Sequence, residues 1–272
     1  MQNISYREVI GIIFNYKNIR TFIFDLDGTV WNWNSLYPHM KETISKLKSK
    51  NCKVFYVSDN PILTRAGLAE KLTTMGIPTV ESNVITSSYV TARYFNDKNI
   101  KNVYIIGEKG LSEELGNFKI KVSEQSDFVV SSIDRSFTFW KLKAACDLVR
   151  NGAKLYATGM APYWHVNGDI LPGELPILKA IEAVTGETAT TLGKPSDYMK
   201  KILLEQFFLY PEDTLLVGDD IKTDVPFAHK CGFKSAVVTH GITKAEKARN
   251  ATGEEKPDAI VHDIRELVGS II

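Results

Sequence analysis

The sequence is poor in cysteine, in net charge and in long apolar runs, and each shortage removes a class of protein. Its 272 residues include three cysteines, Cys52, Cys146 and Cys231, far apart and odd in number. They offer no disulfide framework and no metal-type spacing, so a reducing, cytoplasmic setting fits best. Lys and Arg number 33 against 32 Asp and Glu, a formal net charge of +1. Such a balance gives no reason to expect a nucleic-acid partner. The apolar run Val9 to Phe14 is too short to span a membrane, and no small-residue cleavage site follows it. Neither a signal peptide nor a membrane partner is expected. Internal repeats and low-complexity tracts are also missing. What remains is 44% hydrophobic and 24% charged, the balance of a soluble globular protein with one large domain or two ordinary ones.

Along the chain, apolar strand-like runs alternate with amphipathic helical stretches. Residues 4–17 read as a helix with Tyr6, Val9, Ile10, Ile13 and Phe14 on one face. That face packs on its own domain or forms a dimer contact. Phe22 to Phe24 reads as a buried strand, Lys53 to Val57 as a second, Thr214 to Val217 as a third and Ser235 to Thr239 as a fourth. Helices are expected after Pro38, over about 62–75, from Ser87 to about Asn96, over 197–208, after Thr223 and over 263–270. Strand–helix alternation predicts an α/β protein with a doubly wound parallel sheet. The polar stretch Asn96-Asp97-Lys98-Asn99 marks a hinge, and roughly 99–188 reads as a second α/β unit inserted into the first. Within it, Gly159 to Gly173 is expected to be a long loop.

Polar residues recur where apolar runs stop. The first strand ends on Asp25-Leu26-Asp27-Gly28-Thr29, two carboxylates spaced i, i+2. Alternation places them on one side of a continuing strand. Like charges that close need a cation or a shared proton, unless the pair merely caps loop amides in a turn. The second strand ends on Ser58-Asp59-Asn60, and a turn carries Gly193-Lys194-Pro195-Ser196. The third ends on Gly218-Asp219-Asp220, with Asp224 starting the next helix. In open parallel sheets such ends gather at one edge, where ligands bind. Carboxylates suit a hard cation such as Mg²⁺. An ammonium, a hydroxyl and backbone amides suit a phosphate. A carboxylate can also attack phosphorus while a second one shuttles a proton. The parts match phosphoryl transfer.

These four segments, in this order and spacing, resemble the motifs of the haloacid dehalogenase superfamily, and in particular its subfamily IIA, the NagD-like, p-nitrophenylphosphatase-like branch. The likeness spans roughly residues 20–270. It extends to Tyr104 through Leu111, Ser132-Ile133-Asp134-Arg135 and Pro172-Gly173. The resemblance implies a Rossmann-like core (1–98 and 189–272) with an inserted α/β cap of the C2 type (99–188). It implies Asp25 as nucleophile, forming an aspartyl-phosphate, and Asp27 as general acid and then base. Ser58 and Lys194 would hold the phosphoryl group, and Asn60 would shape its loop. Mg²⁺ would be bound by the Asp25 carboxylate, the Asp27 backbone carbonyl and Asp219, with Asp224 supporting it directly or through water. Asp27 favours phosphate-ester hydrolysis over the family's other chemistries.

Two departures are visible. The second motif carries Asp59 where an asparagine is usual, and repulsion from a phosphate predicts that its side chain points away. The cap loop Thr158-Gly159-Met160-Ala161 lacks the usual polar pair. It is followed by Tyr163, Trp164 and His165, which either stack on substrate or pack within the cap or a cap-mediated dimer. Asp224 has the competing reading of a helix N-cap. The tryptophans of Trp31-Asn32-Trp33-Asn34 either line a substrate entrance or pack. The expected activity is hydrolysis of a small phosphomonoester: a nucleoside monophosphate, a sugar or glycerol phosphate, or phosphoglycolate. The rivals are a phosphotransferase or mutase with the same intermediate, and a catalytically weak metabolite- or partner-binding protein of the same fold.

Overall fold

The structure is a computed structural model and describes residues 18–166 and 169–269. The helix expected over 4–17 lies outside the described residues. The chain divides into two compact units, Met1–Tyr56 with Phe208–Ile272, and Val57–Phe207.

The first unit opens with β1 (Thr21–Phe24), the short hairpin β2 (Trp31–Asn32) and β3 (Ser35–Leu36), and α1 (Met40–Ser49). β4 (Lys53–Ser58) then carries the chain across the division. In the second unit come α2 (Arg65–Thr74), β5 (Val84–Thr86), α3 (Ser87–Asp97), β6 (Asn102–Ile106), α4 (Lys109–Asn117) and β7 (Lys121–Val122). They are followed by β8 (Phe128–Ser131), α5 (Phe139–Arg150), β9 (Lys154–Ala157) and the hairpin strands β10 (Tyr163–Val166) and β11 (Asp169–Pro172). The unit closes with α6 (Glu174–Thr185), β12 (Thr190–Thr191) and α7 (Asp197–Phe207). Back in the first unit are β13 (Thr214–Gly218), α8 (Asp224–Cys231), β14 (Lys234–Val238), α9 (Ala245–Asn250), β15 (Ala259–Val261) and α10 (Glu266–Gly269).

The first unit is built on parallel strands in the order β15-β14-β13-β1-β4. β1 and β13 are buried at every position, which is why both read as unbroken apolar runs rather than alternating ones. Sequence order reverses between them. β1 is followed outward by β4 on one side and, much later in the chain, by β13 on the other. A parallel sheet opens a crevice at that reversal, beyond the carboxyl ends of its strands. Phe24 pairs with Val217 and with Tyr56, so Asp25 leaves the sheet beside the end of β13. α1 packs through Met40, Thr43, Ile44 and Leu47, the i, i+3, i+4, i+7 stripe of an amphipathic helix. The fold is the Rossmann-like α/β architecture that the alternation predicts.

The second unit has its own sheet, β12-β9-β8-β6-β7. Tyr104, Ile106, Val129 and Leu155 from its strands pack with Leu178 and Ile181 of α6. The segment expected to be a long loop, 159–173, instead contains the antiparallel pair β10 and β11, with Tyr163 opposite Pro172 and Val166 opposite Asp169. The run Tyr163-Trp164-His165-Val166 is aromatic and β-branched, as strands prefer. Residues 31–36 likewise pair as a hairpin. No described helix is long and apolar enough to cross a membrane.

Candidate active site

In the first unit, Asp25, Asp219 and Asp224 are all buried, and each offers a carboxylate oxygen within 4.8 Å of the other two. The sheet positions the first two. Asp25 donates its backbone N–H to Val217 O at 2.9 Å, and Asp219 directly follows β13. Asp224 is the first residue of α8. Its Oδ2 accepts the backbone N–H groups of Asp219 (3.1 Å) and Asp220 (3.0 Å), so it grips the turn that carries Asp219. Asp224 is not the N-cap of α8: that place is Thr223, and the Asp224 carboxylate accepts amides of the preceding turn rather than of the helix, while it also belongs to the acidic group. Asp219 Oδ2 accepts the Ile242 N–H at 2.7 Å. The Thr29 hydroxyl lies 3.3 Å from Asp25 Oδ2 and 3.4 Å from Asp219 Oδ1.

Three buried carboxylates this close repel strongly, and removing them from water adds to the cost. A hard divalent cation offsets both, and an all-oxygen set of this kind fits Mg²⁺ chemistry. Two glycines let the backbone approach. Gly28 sits at φ +85°, and a side chain there or at Gly241 would collide with the Asp219 carboxylate.

Asp27 is held separately. Its Oδ1 accepts the indole N–H of Trp31 at 2.8 Å. Nearby, His240 donates from Nε2 to Thr29 O at 3.0 Å, and its ring packs on that of Tyr37, tilted by 34° with centroids 3.8 Å apart. Burial pushes the His240 pKa down, which keeps the imidazole neutral. Burial, then the charges of Asp219 and Asp27, push the Tyr37 hydroxyl up. Thr29, Tyr37 and His240 had no assigned role in the sequence, and Trp31, left there between lining a substrate entrance and packing, is buried. Of these, only Thr29 and Trp31 carried a signal, lying within five residues of the carboxylate pair.

In the second unit, Ser58 is buried at the end of β4, and its Oγ accepts the Asn60 N–H at 3.0 Å. Asn60 Oδ1 in turn accepts the Ile62 N–H at 2.9 Å. The Ser87 hydroxyl donates to Asp59 O at 2.7 Å, tying this turn to the start of α3. Asp59 does not point away from the lysine turn. Its Oδ1 accepts the Lys194 backbone N–H at 2.9 Å, and its Oδ2 lies 3.5 Å from Lys194 Nζ. The ion pair offsets the repulsion that the extra carboxylate would otherwise bring. Lys194 itself is buried.

Tyr163, Trp164 and His165 stand on β10. Tyr163 is exposed, and Trp164 donates its indole N–H to Pro172 O at 3.2 Å, across the hairpin. Sequence reasoning missed Glu174, the first residue of α6. It is 2% exposed, and its Oε2 has no hydrogen-bond partner. Burial, with a smaller contribution from the charge of Asp59, pushes its pKa up to about 8 against amide donors that pull it down. Burial therefore favours its neutral, protonated form.

Comparison with known proteins places this geometry. A family model for haloacid dehalogenase-like hydrolases matches residues 22–121, and a second HAD-hydrolase-like model matches residues 191–267. The 5'-nucleotidase YutF of Bacillus subtilis is 29% identical over 262 residues, covering 93% of this chain and 98% of that protein. Rat chronophin is 27% identical over 288 residues, covering 100% of this chain and 91% of chronophin. Among solved structures, the 4-nitrophenylphosphatase of Thermotoga maritima superposes with a TM-score of 0.88 at 29% identity, covering 94% of this chain and 98% of that one. The two matched segments contain the carboxylate ends of β1 and β13 and the lysine turn between them. This chain belongs to the haloacid dehalogenase-like hydrolases.

Proposed function

We propose that the chain is a Mg²⁺-dependent phosphatase of small phosphomonoesters, working through an aspartyl-phosphate. The observation that carries this is the approach of Asp25, Asp219 and Asp224 to within 4.8 Å of one another in a buried setting. The likeness to a nucleotidase and to a nitrophenylphosphatase supports the reading.

Asp25, Asp219, the Asp27 carbonyl and Asp224, directly or through water, would hold the cation, which would supply charge neutralisation for the carboxylates and the phosphoryl oxygens. An Asp25 oxygen attacks phosphorus, and the bond to the leaving-group oxygen breaks. Asp27 donates its proton to that oxygen, and the alcohol departs. Water then attacks the phosphorus on Asp25 and loses a proton to Asp27. The Asp25–phosphorus bond breaks and orthophosphate leaves, so atoms and protons balance over the cycle. Lys194 and Ser58 hold the phosphoryl oxygens, with Asn60 shaping the Ser58 turn. Residues 99–188 are the cap that selects the leaving group in this reading, with Tyr163, Trp164 and His165 as its candidate specificity residues. An inserted cap of that size favours metabolites over polymers. Candidates are nucleoside monophosphates, sugar or glycerol phosphates and phosphoglycolate. A cytoplasmic setting and a homodimer belong to the same reading.

The test is p-nitrophenyl phosphate turnover with and without Mg²⁺. Metal-dependent release of nitrophenol that Asp25→Asn abolishes is expected. No turnover with metal present, or full turnover by the variant, overturns the reading. An added alcohol that captures the phosphoryl group in preference to water would favour a phosphotransferase instead.

A further inference from the structure

Trp31 is fully buried, yet its polar atom is turned to the reaction's second carboxylate. The indole ring and the Asp27 side chain belong to one closed loop. Gly28 N–H donates to Trp31 O at 2.9 Å, Trp31 N–H donates to Leu26 O at 3.2 Å, and Asp27 and Trp31 form an isolated β-bridge. The far side of Trp31 is fixed by pairing with Leu36 in the hairpin β2–β3 and by the Tyr37 N–H donated to Val30 O at 3.1 Å. A buried indole N–H left without an acceptor costs about 1–3 kcal/mol. Backbone carbonyls are abundant in this loop, but the acceptor is Asp27 Oδ1, at 2.8 Å.

We propose that Trp31 is a positioning residue for Asp27, holding its carboxyl group in the orientation that delivers a proton to the leaving-group oxygen. The inference rests on the phosphatase reading and on Asp27 as its general acid. A carboxylic acid is a better acceptor at its carbonyl oxygen than at its hydroxyl. When Asp27 takes up a proton in the cycle, an N–H donated to Oδ1 therefore leaves Oδ2 as the oxygen that carries it. The ring has only two side-chain torsions and is fully buried, so the orientation is held at little entropic cost. A flexible donor would not hold it as well.

The experiment separates positioning from packing by the leaving group. The ratio kcat/KM covers steps up to formation of the aspartyl-phosphate. It is measured with Mg²⁺ over a series from p-nitrophenyl phosphate, whose leaving group needs little protonation, through phenyl phosphate to glycerol phosphate, whose leaving group needs it fully. General acid catalysis contributes about 10²–10⁴-fold, so losing its alignment should cost the basic leaving groups about tenfold more than nitrophenol. The proteins are wild type, Trp31→Phe, Asp27→Asn, and the full chain with a benzothiophene isostere of tryptophan at position 31, which deletes the N–H and keeps the shape. The isostere covers the case in which Trp31→Phe fails to fold. The expected result is a steeper dependence on leaving-group basicity for both Trp31 changes, in the same direction as Asp27→Asn. An equal loss across the series, with Asp27→Asn steepening it, overturns the role of Trp31 alone. No steepening in Asp27→Asn overturns the assignment of the general acid itself.

Discussion

Replacing Glu174 by glutamine should remove a pH dependence of stability. The carboxyl group is buried at the start of α6, one of its oxygens has no partner, and Asp59 adds a negative charge to its surroundings. Its pKa rises from an ordinary 4.5 to about 8, with desolvation the main cause. A raised value means that the folded chain binds this proton more tightly than the unfolded one. The stabilisation is fully present below the unfolded value. It declines as pH rises between 4.5 and about 8, and is gone above that. The gap, 8 − 4.5, is about 3.5, and at about 1.4 kcal/mol each the ceiling is about 5 kcal/mol. Water entry and local relaxation reduce this, so a loss of about 2–4 kcal/mol is expected between about pH 5 and pH 8.5. Glutamine has nearly the shape of the neutral acid and does not ionise. Urea midpoints of wild type and Glu174→Gln, compared across that range, isolate this one group from every other titration. The variant should be similar to wild type in acid and more stable in alkali. Two curves that stay parallel would refute a buried neutral acid at this position.

Three further outcomes follow from the site. Mg²⁺ should raise the thermal midpoint of wild type, since a ligand at about a hundred times its Kd adds about 2.7 kcal/mol. Asp219→Asn should weaken that effect, as read by thermal shift with metal titration. Gly28→Ala introduces a side chain at φ +85° and against the Asp219 carboxylate. A loss of about 1–3 kcal/mol and weaker Mg²⁺ binding by calorimetry are expected. On the proposed function, Lys194→Met would remove a charge-assisted contact to the phosphoryl oxygens, worth about 1.5–3 kcal/mol. Inhibition by orthophosphate should weaken by roughly ten- to a hundredfold, and unchanged inhibition would place the phosphate elsewhere.

The chemistry-bearing residues were legible because each interrupts a pattern. Asp25 and Asp219 stand where fully buried runs stop, and buried strands on both sheet faces leave little else that such charges could do. The parallel sheet was legible for a related reason, since strand and helix alternate with short connections. Other features depended on pairings that residue types along the chain do not reveal. The apolar and aromatic content of 163–172 is compatible with a loop, and the hairpin becomes evident only from the pairing of Tyr163 with Pro172. Repulsion from a phosphate was expected to turn the Asp59 side chain away. It instead pairs with Lys194, 135 residues away, because an ion pair there offsets the repulsion.

The sequence by itself determined the class of fold, the family and the carboxylates at the strand ends. Those depend on local patterning and on residue types at short, fixed spacings. Tertiary structure alone decided how the polar groups are divided. It turned the Trp31 indole onto Asp27, and used one oxygen of Asp224 to hold the turn bearing Asp219. It also buried Glu174 as a neutral acid near Asp59. The physical reason is common to all three. A side chain's hydrogen-bond partner and its protonation state are set by what the fold brings within about 3 Å and by how much water it removes, and neither is written in sequence spacing.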